Sequence, residues 1–258
     1  MTIEVISTIE RQQQILRLLG HQHRVSVVEI CKQFSISEAT ARRDLEALAE
    51  QGKLQRVHGG AIPVERALPE LPMLERETEQ LSEKTRIGRA AANLIAENET
   101  IFLGSGTTVL EVARNLRNRR NLTVITNSLP VLNILAGNSE ITLIALGGML
   151  RSTELSFIGH ITEQATAEVR TDKVFMSACG ISLEQGWTNH YLPETITDRA
   201  ILKTGREIII VADYTKVNCV SSAFLAPLNS IHKLVTDDKT PDDFVFGLIQ
   251  QGIQVIRV

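Results

Sequence analysis

Two short stretches of this 258-residue chain carry residue types spaced to do chemistry. The first is Gly104, Ser105, Gly106, Thr107 and Thr108, where the apolar run TIFL gives way to glycines and hydroxyls and then to the helical pattern VLEVARNL. Glycines let backbone approach a ligand closely. Free N–H groups at a helix start, with Ser and Thr hydroxyls beside them, suit an anion such as phosphate. The spacing is neither GxGxxG nor a Walker loop, so it gives no support to a nucleotide cofactor. A turn of this composition is also an ordinary strand-to-helix connection.

The second stretch is SEATARRDLEAL, residues 37–48. At about 100° per residue, Ala41, Leu45 and Leu48 share the face that buries. Arg43 then points away from it with Ala39 and Glu46 alongside, while Thr40 and Arg42 flank that face. Ser37 can cap the helix, and Ser35 with Glu38 also fits a capping box. A short helix, the tight turn FSIS and a capped helix with outward arginines place side chains in a DNA major groove. There arginine can bond guanine O6 and N7, and threonine a base edge or phosphate. Lys53, Arg56 and His58 on the following segment can meet the flanking backbone as a wing. The competing reading is a solvated helix face on which Arg42 and Arg43 pair with Glu38, Asp44 or Glu46.

The elements that would position these residues fall into two groups. Ile15, Leu18 and Leu19 mark one amphipathic helix, Val27 to Phe34 a second and Glu38 to Gln51 a third, stopped by Gly52. LQRVHGGAIP then reads as a short hairpin. Three prolines, Pro63, Pro69 and Pro72, fall in a stretch without periodicity, which reads as a linker. Beyond it, apolar strands alternate with helices. The strands are expected at Thr100–Leu103, Leu122–Thr126, Ile141–Leu146, Lys173–Ala178, Glu207–Ala212, Lys233–Thr236 and Ile253–Val258. The helices are expected at Glu83–Ala96, Thr107–Leu116, Leu129–Leu135, Thr162–Val169, Thr195–Lys203 and Asp242–Gln251. This predicts an α/β chain whose C-terminal part is a Rossmann-like, mostly parallel sheet covered on both faces.

In such a sheet ligands sit beyond the strand C-termini. Asn127, Ser128, Gly147, Gly148, Arg151, Gly180 and Lys216 are therefore expected near the Ser105–Thr108 turn, with Arg151 and Lys216 able to balance a phosphate. Trp187 and His190 read as a loop at the pocket mouth.

Composition sets outer bounds. Hydrophobic residues make up 43% and charged residues 22%, ordinary for a globular chain. The net charge of −3 is no argument for nucleic acid, and residues 1–65 hold eight basic and eight acidic side chains, so any DNA reading rests on placement. Cys31, Cys179 and Cys219 form no CxxC pair, and the six histidines have no metal spacing. MTIEVISTIERQQ is acidic where a secretory leader is basic, and no run nears the ~18 apolar residues of a membrane span. The expectation is a cytoplasmic protein with no membrane partner, no metal and no cofactor.

The order of motifs adds a resemblance. RQQQILRLLGHQHRVSVVEICKQFSISEATARRDLEALAEQGKLQRVHGGA is similar to the winged helix-turn-helix of the DeoR family of bacterial transcription regulators, with Ala41 where the family carries Ile or Val. EKTRIGRAAANLIAENETIFLGSGTTVLEVARNL, ITNS, LGGMLR, the Phe157-Ile158-Gly159 step, DKVFMSACGIS and VADYTKV resemble the family's C-terminal domain, which is similar to ribose-5-phosphate isomerase type sugar-phosphate-binding domains. The resemblance implies a winged helix-turn-helix at 1–62, a linker at 63–80 and an effector domain at 81–258. It implies a repressor of carbohydrate-metabolism genes, acting as a dimer or tetramer on double-stranded operator DNA and controlled by a phosphorylated sugar. Ser37, Ala39, Thr40, Arg42, Arg43, Lys53, Arg56 and His58 would meet DNA. Ser105 to Thr108 would hold the phosphate and Lys216 its polar end.

Two departures stand out. Gly104 replaces the family's Asp, and Glu194 lies where the family has E-A-E but is followed by Thr195 and Ile196. An isomerase with an appended DNA module would need a general base near substrate carbons C1 and C2. Glu194 and Lys216 are conceivable there, and the missing Asp counts against it. A DNA-binding protein with an empty pocket is the third reading.

Overall fold

The structure, a computed structural model, describes residues 7–22, 25–51, 53–57, 59–62 and 71–258. Gly52, expected to stop the third helix, His58, expected on the wing, and residues 63–70 of the expected linker lie outside them. The chain divides into two compact units, Met1–Pro69 and Glu70–Val258.

In the N-terminal unit, α1 (Thr8–Gln22) leads through β1 (Val25–Ser26) into α2 (Val27–Phe34), α3 (Glu38–Glu50) and the strands β2 (Gln55–Val57) and β3 (Gly60–Ile62). The Ser26 hydroxyl accepts from the Glu29 amide at 3.2 Å, and the Ser26 amide donates to the Glu29 carboxylate at 2.8 Å. That reciprocal box satisfies two donors left free at the helix start. Ser35, at φ 52°, ends α2, and Ser37 opens α3 by accepting from the Thr40 amide at 3.3 Å. The two candidate caps thus have separate jobs. Ile15, Leu19, Ile30, Ala41, Leu45 and Leu48 form one core, and burying Leu45 and Leu48 contributes about 2 kcal/mol each. The expected hairpin is a three-stranded antiparallel sheet in the order β1-β3-β2. The third strand, β1, is only two residues long and carries no alternation.

The C-terminal unit opens with α4 (Met73–Arg76), α5 (Leu81–Ala92), β4 (Thr100–Leu103), α6 (Thr107–Asn115), β5 (Leu122–Thr126), α7 (Leu129–Leu135) and β6 (Ile141–Ala145). It continues through β7 (Met149–Arg151), β8 (Ser156–Ile158), α8 (His160–Ala167), β9 (Thr171–Met176), β10 (Gly180–Ser182), β11 (Gly186–Asn189) and α9 (Leu192–Leu202). It ends with β12 (Gly205–Val211), β13 (Ala223–Ala226), β14 (Lys233–Thr236), α10 (Asp242–Gln250) and β15 (Gln254–Arg257).

Seven of these strands form one parallel sheet in the order β15-β14-β12-β9-β4-β5-β6. Successive residues alternate between its faces. Ile101, Leu103, Ile209 and Val211 pack with α5, α6 and α7 on one side, while Phe102, Ile208 and Ile210 pack with α9 and α10 on the other. Burial on both faces explains why these strands read as continuous apolar runs.

Several boundaries differ from the sequence reading. β9 and β12 each begin two residues earlier than expected, and α9 begins at Leu192, with Pro193 in its first turn where a missing N–H costs nothing. α5 runs from Leu81 to Ala92, where Glu83 to Ala96 was expected. The β7–β8 hairpin and the antiparallel sheet β10-β11-β13 had no apolar run to announce them. Trp187, expected on a loop, lies on β11 and is fully buried in the second core.

Candidate effector pocket and DNA-reading helix

On α3 the burial pattern follows the helical spacing. Ala41, Leu45 and Leu48 are buried, Ala39, Arg42 and Arg43 exposed, and Thr40 half-buried. Arg42 pairs with Glu38 at 3.1 Å one turn earlier. Both side chains are more than half exposed, so the pair is weak and yields to a stronger partner. Arg43 has no ion-pair or hydrogen-bond partner among the described residues. Asp44 is unavailable to it. It is buried and bonded by Arg11 of α1, Nε to Oδ2 at 2.6 Å and Nη2 to Oδ1 at 3.2 Å. Arg56, on β2, donates to the Arg42 carbonyl at 3.3 Å, which joins this strand to α3, and Lys53 is exposed.

In the C-terminal unit the chain leaves β4 toward β5 and β6 on one side, then returns to β9 on the other. That reversal is a topological switch point, where such sheets bind ligands. The turn after β4 meets the end of β9 there, and Ser177 Oγ donates to the Ser105 carbonyl at 2.9 Å. Gly106, at φ 105°, has Ser177 Oγ 2.2 Å from where a Cβ would stand, so only glycine fits. Thr107 and Thr108 then form the buried first turn of α6, which has no side-chain cap. Its leading N–H groups point at the switch point.

A Cβ at Gly104 would lie 2.4 Å from Met176 Sδ. The sulfur thus occupies the space that a side chain at position 104 would need.

The other expected residues are sorted by the fold. Asn127 and Ser128 are fully buried, and Asn127 Oδ1 and Ser128 Oγ have no hydrogen-bond partner among the described residues. Such atoms cost about 1–3 kcal/mol each unless something polar reaches them. Gly148 and Gly180 serve packing. A Cβ would meet Thr162 Oγ1 at 2.1 Å at the first and the Cys219 carbonyl at 2.5 Å at the second. Gly147 is exposed, and its carbonyl accepts from Thr162 Oγ1 at 2.9 Å. Arg151 and Glu194 form an ion pair with each other, Ser156 Oγ donates to Glu194 at 2.6 Å, and Arg151 also stacks 4.7 Å over the Tyr191 ring. Lys216 is half-buried on the short turn Tyr214–Lys216, capped by Asp213.

Four charged groups that the sequence reading passed over, Lys84, Arg76, Glu154 and Asp198, are linked to these residues. Lys84 is buried on α5, where Lys84, Ile87, Gly88 and Ala91 form one stripe. A lysine inside an apolar stripe was the signal available in the sequence. Burial lowers its pKa to about 8, Asp213 opposes that shift, and Lys216 and Arg76 add to it. Its Nζ donates to the Arg76 carbonyl at 2.7 Å. Arg76 is paired with Glu154, whose Oε1 lies 3.6 Å from the Cβ position of Gly106. Asp198, fully enclosed, has its pKa pushed well above the carboxylate range, by burial first and then by Glu194 and Glu154. Asn189 donates to it at 2.7 Å and opposes that shift.

A helix-turn-helix with outward arginines, and a separate parallel-sheet unit with a Gly/Ser/Thr turn at its switch point, define a DNA-binding regulator with a sensor domain. Residues 11–67 match the DeoR-like helix-turn-helix domain, and residues 79–238 match the DeoR C-terminal sensor domain. The chain belongs to the DeoR family of transcription regulators. It is 34% identical to the transcriptional repressor AccR of Agrobacterium fabrum over 91% of each chain. It is 33% identical to the glycerol-3-phosphate regulon repressor of Escherichia coli, covering 95% of this chain and 97% of that one. Among solved structures, ribose 5-phosphate isomerase A of Methanocaldococcus jannaschii matches with a TM-score of 0.38 and 20% identity, over 52% of this chain and 53% of that one. No helix among the described residues is long and apolar enough to cross a membrane.

Proposed function

We propose that this protein is a cytoplasmic repressor of carbohydrate-metabolism genes that binds operator DNA as a homo-oligomer and answers to a phosphorylated sugar. The observation that carries the reading is the Ser105–Thr108 turn at the switch point, where the buried first turn of α6 has no side-chain cap; to it we assign the half-buried Lys216 and the buried Lys84 as cations. A phosphate on the free N–H groups of α6 gains the helix dipole and those cations together. The name of the glycerol-3-phosphate regulon repressor supports a phosphorylated signal.

In this reading residues 1–62 form the DNA-binding domain, 63–80 the linker and 81–258 the effector domain. Arg43 and Arg42 reach base edges, Ser37, Ala39 and Thr40 approach the duplex, and Lys53, Arg56 and His58 hold its backbone. Asn127 and Ser128 meet effector hydroxyls. Arg151 and Glu194 act as a neutral pair that shapes the pocket wall. The effector must favour one DNA-binding state over the other, with about 1–3 kcal/mol typical of such coupling.

The test is fluorescence anisotropy of the purified protein on DNA upstream of its own gene, at two salt concentrations, with and without a panel of sugar phosphates. Salt-sensitive, sequence-selective binding that one sugar phosphate weakens is expected. Selective binding indifferent to the whole panel would sink the effector reading.

A further inference from the structure

The seven-stranded sheet ends at β15 on one side and at β6 on the other, and the two edges are built differently. β15 ends in Arg257, paired with Asp242, and begins with the exposed Gln254. Charged and polar side chains on an edge discourage pairing with another chain. β6 reads ITLIA, without a charged residue or a proline, and Thr142, Ile144 and Ala145 on it are exposed.

The direction of the β6 backbone follows from its flanks. The Leu146 amide donates to the Thr126 carbonyl at 2.8 Å, and the Glu140 carbonyl accepts from the Asn121 amide at 3.0 Å. Even-numbered residues therefore turn their N–H and C=O groups toward β5, and Leu143 and Ala145 turn theirs away. Among the described residues β6 is bonded to β5 alone, so the backbone groups of Leu143 and Ala145 face outward without a partner. The side chains beside this edge are apolar too. Met149 and Leu150 on β7 are 61% and 44% exposed, and Ile161 on α8 is 64% exposed. Thr162 Oγ1 donates to the Gly147 carbonyl at 2.9 Å, which brings the start of α8 to the loop that follows β6.

We propose that the β6 edge is the contact with a second copy of this chain, paired antiparallel about a twofold axis through Ile144. An edge of alternating donors and acceptors is complementary to itself when one copy is reversed, which is what a twofold interface requires. A charged partner would find no opposite charge on this strand. The register that uses every free group sets Leu143 of each copy opposite Ala145 of the other, and each such pair exchanges both of its bonds. The two Ile144 residues then form the non-bonded pair between them, with Cα atoms about 4.5 Å apart. Met149, Leu150 and Ile161 add the apolar area that paired strands alone do not bury. The inference rests on the homo-oligomer reading above and names the surface that would make it.

The experiment is sedimentation velocity of the full-length protein at micromolar concentration, wild type against variants of β6. Ala145→Pro removes an outward N–H that the single chain does not use, so its circular dichroism and unfolding midpoint should match wild type. It leaves a carbonyl of each copy unbonded and should weaken self-association about a hundredfold, halving the sedimenting mass. Ile144→Lys sets two ammonium groups against each other and should weaken it about tenfold. Ile144→Cys tests the register. Treated with oxidised glutathione, it should give a disulfide-linked dimer on a non-reducing gel that wild type, carrying only Cys31, Cys179 and Cys219, does not give.

If the mass survives Ala145→Pro and Ile144→Lys, and Ile144→Cys stays unlinked, the β6 edge is wrong and the oligomer is held by another surface. Wild type sedimenting as a monomer would overturn the edge and the homo-oligomer reading together. Should Ala145→Pro lower the unfolding midpoint, the cross-link decides, because a dimer formed through another surface keeps the two 144 positions apart.

Discussion

The two recognition regions use cations in opposite ways. On α3, Arg42 is exposed and held by one weak surface pair, and Arg43 is exposed with no described partner. In the C-terminal unit, Arg76 and Arg151 keep only 16% and 12% of their side-chain surface, and each is paired with a buried carboxylate. Exposed charge is free to meet a polyanion from solvent, with an energy that salt screens. Buried charge is already compensated, so a ligand binds by replacing a partner rather than by filling an empty field. DNA binding should therefore respond gradually to charge changes and to salt, and the effector domain in discrete steps.

The largest expected effect comes from the N-terminal unit's own buried pair. Arg11→Ala strands Asp44 and should cost about 3 kcal/mol of that unit's stability, seen as a lower midpoint in denaturant unfolding followed by circular dichroism. Unchanged stability would mean that this pair behaves like the surface pairs. Next is Arg43→Ala, expected to cost about 1–3 kcal/mol of operator affinity and to relax base preference. Binding assays on single-base operator variants would expose an error if the preference stayed intact.

A pH effect of similar size follows from Lys84, whose ammonium is surrounded by Asp213, Lys216, Arg76 and Glu79. With its pKa lowered to about 8, Lys84 is charged at pH 7 and largely neutral at pH 9. A bound phosphate would raise that pKa, so binding takes up a proton above pH 8. Phosphate affinity should therefore fall about tenfold from pH 7 to pH 9. A flat profile in calorimetry would place Lys84 away from the ligand. Folding responds with the opposite sign. Charging this lysine costs stability below its folded pKa, and the penalty fades as pH rises past it. The smallest effect is Lys53→Ala, which should lower operator affinity alike for every sequence and reduce the salt slope by about one. A sequence-dependent loss would make Lys53 a base reader.

Much of the fold was legible because its signals are local. The strand at Thr100–Leu103 and the helix at Leu129–Leu135 have the bounds their apolar patterns predict, since β-period and helical period differ within a few residues. The small antiparallel sheet was not legible. Its strands are three or four residues long, too short for alternation to stand out, and β13 joins β11 only after the chain has passed through α9 and β12. Candidate site positions were readable where a glycine or hydroxyl ended a strand, as at Gly106 and Ser128. The charges of Lys84 and Arg76 gave no such signal, because both sit on helices outside the sheet.

By itself the sequence determined which side chains of α3 face outward, where the parallel strands run, and that a Gly/Ser/Thr turn follows β4. All of these depend on periodicity and on backbone freedom within one element. Only the tertiary structure decided the charge partners: Arg76 with Glu154, 78 residues apart, and Arg151 with Glu194, 43 apart. It also decided that Met176 would fill the space beside Gly104. Coulomb energy and steric exclusion depend on distance and burial in space, and no spacing along the chain encodes either.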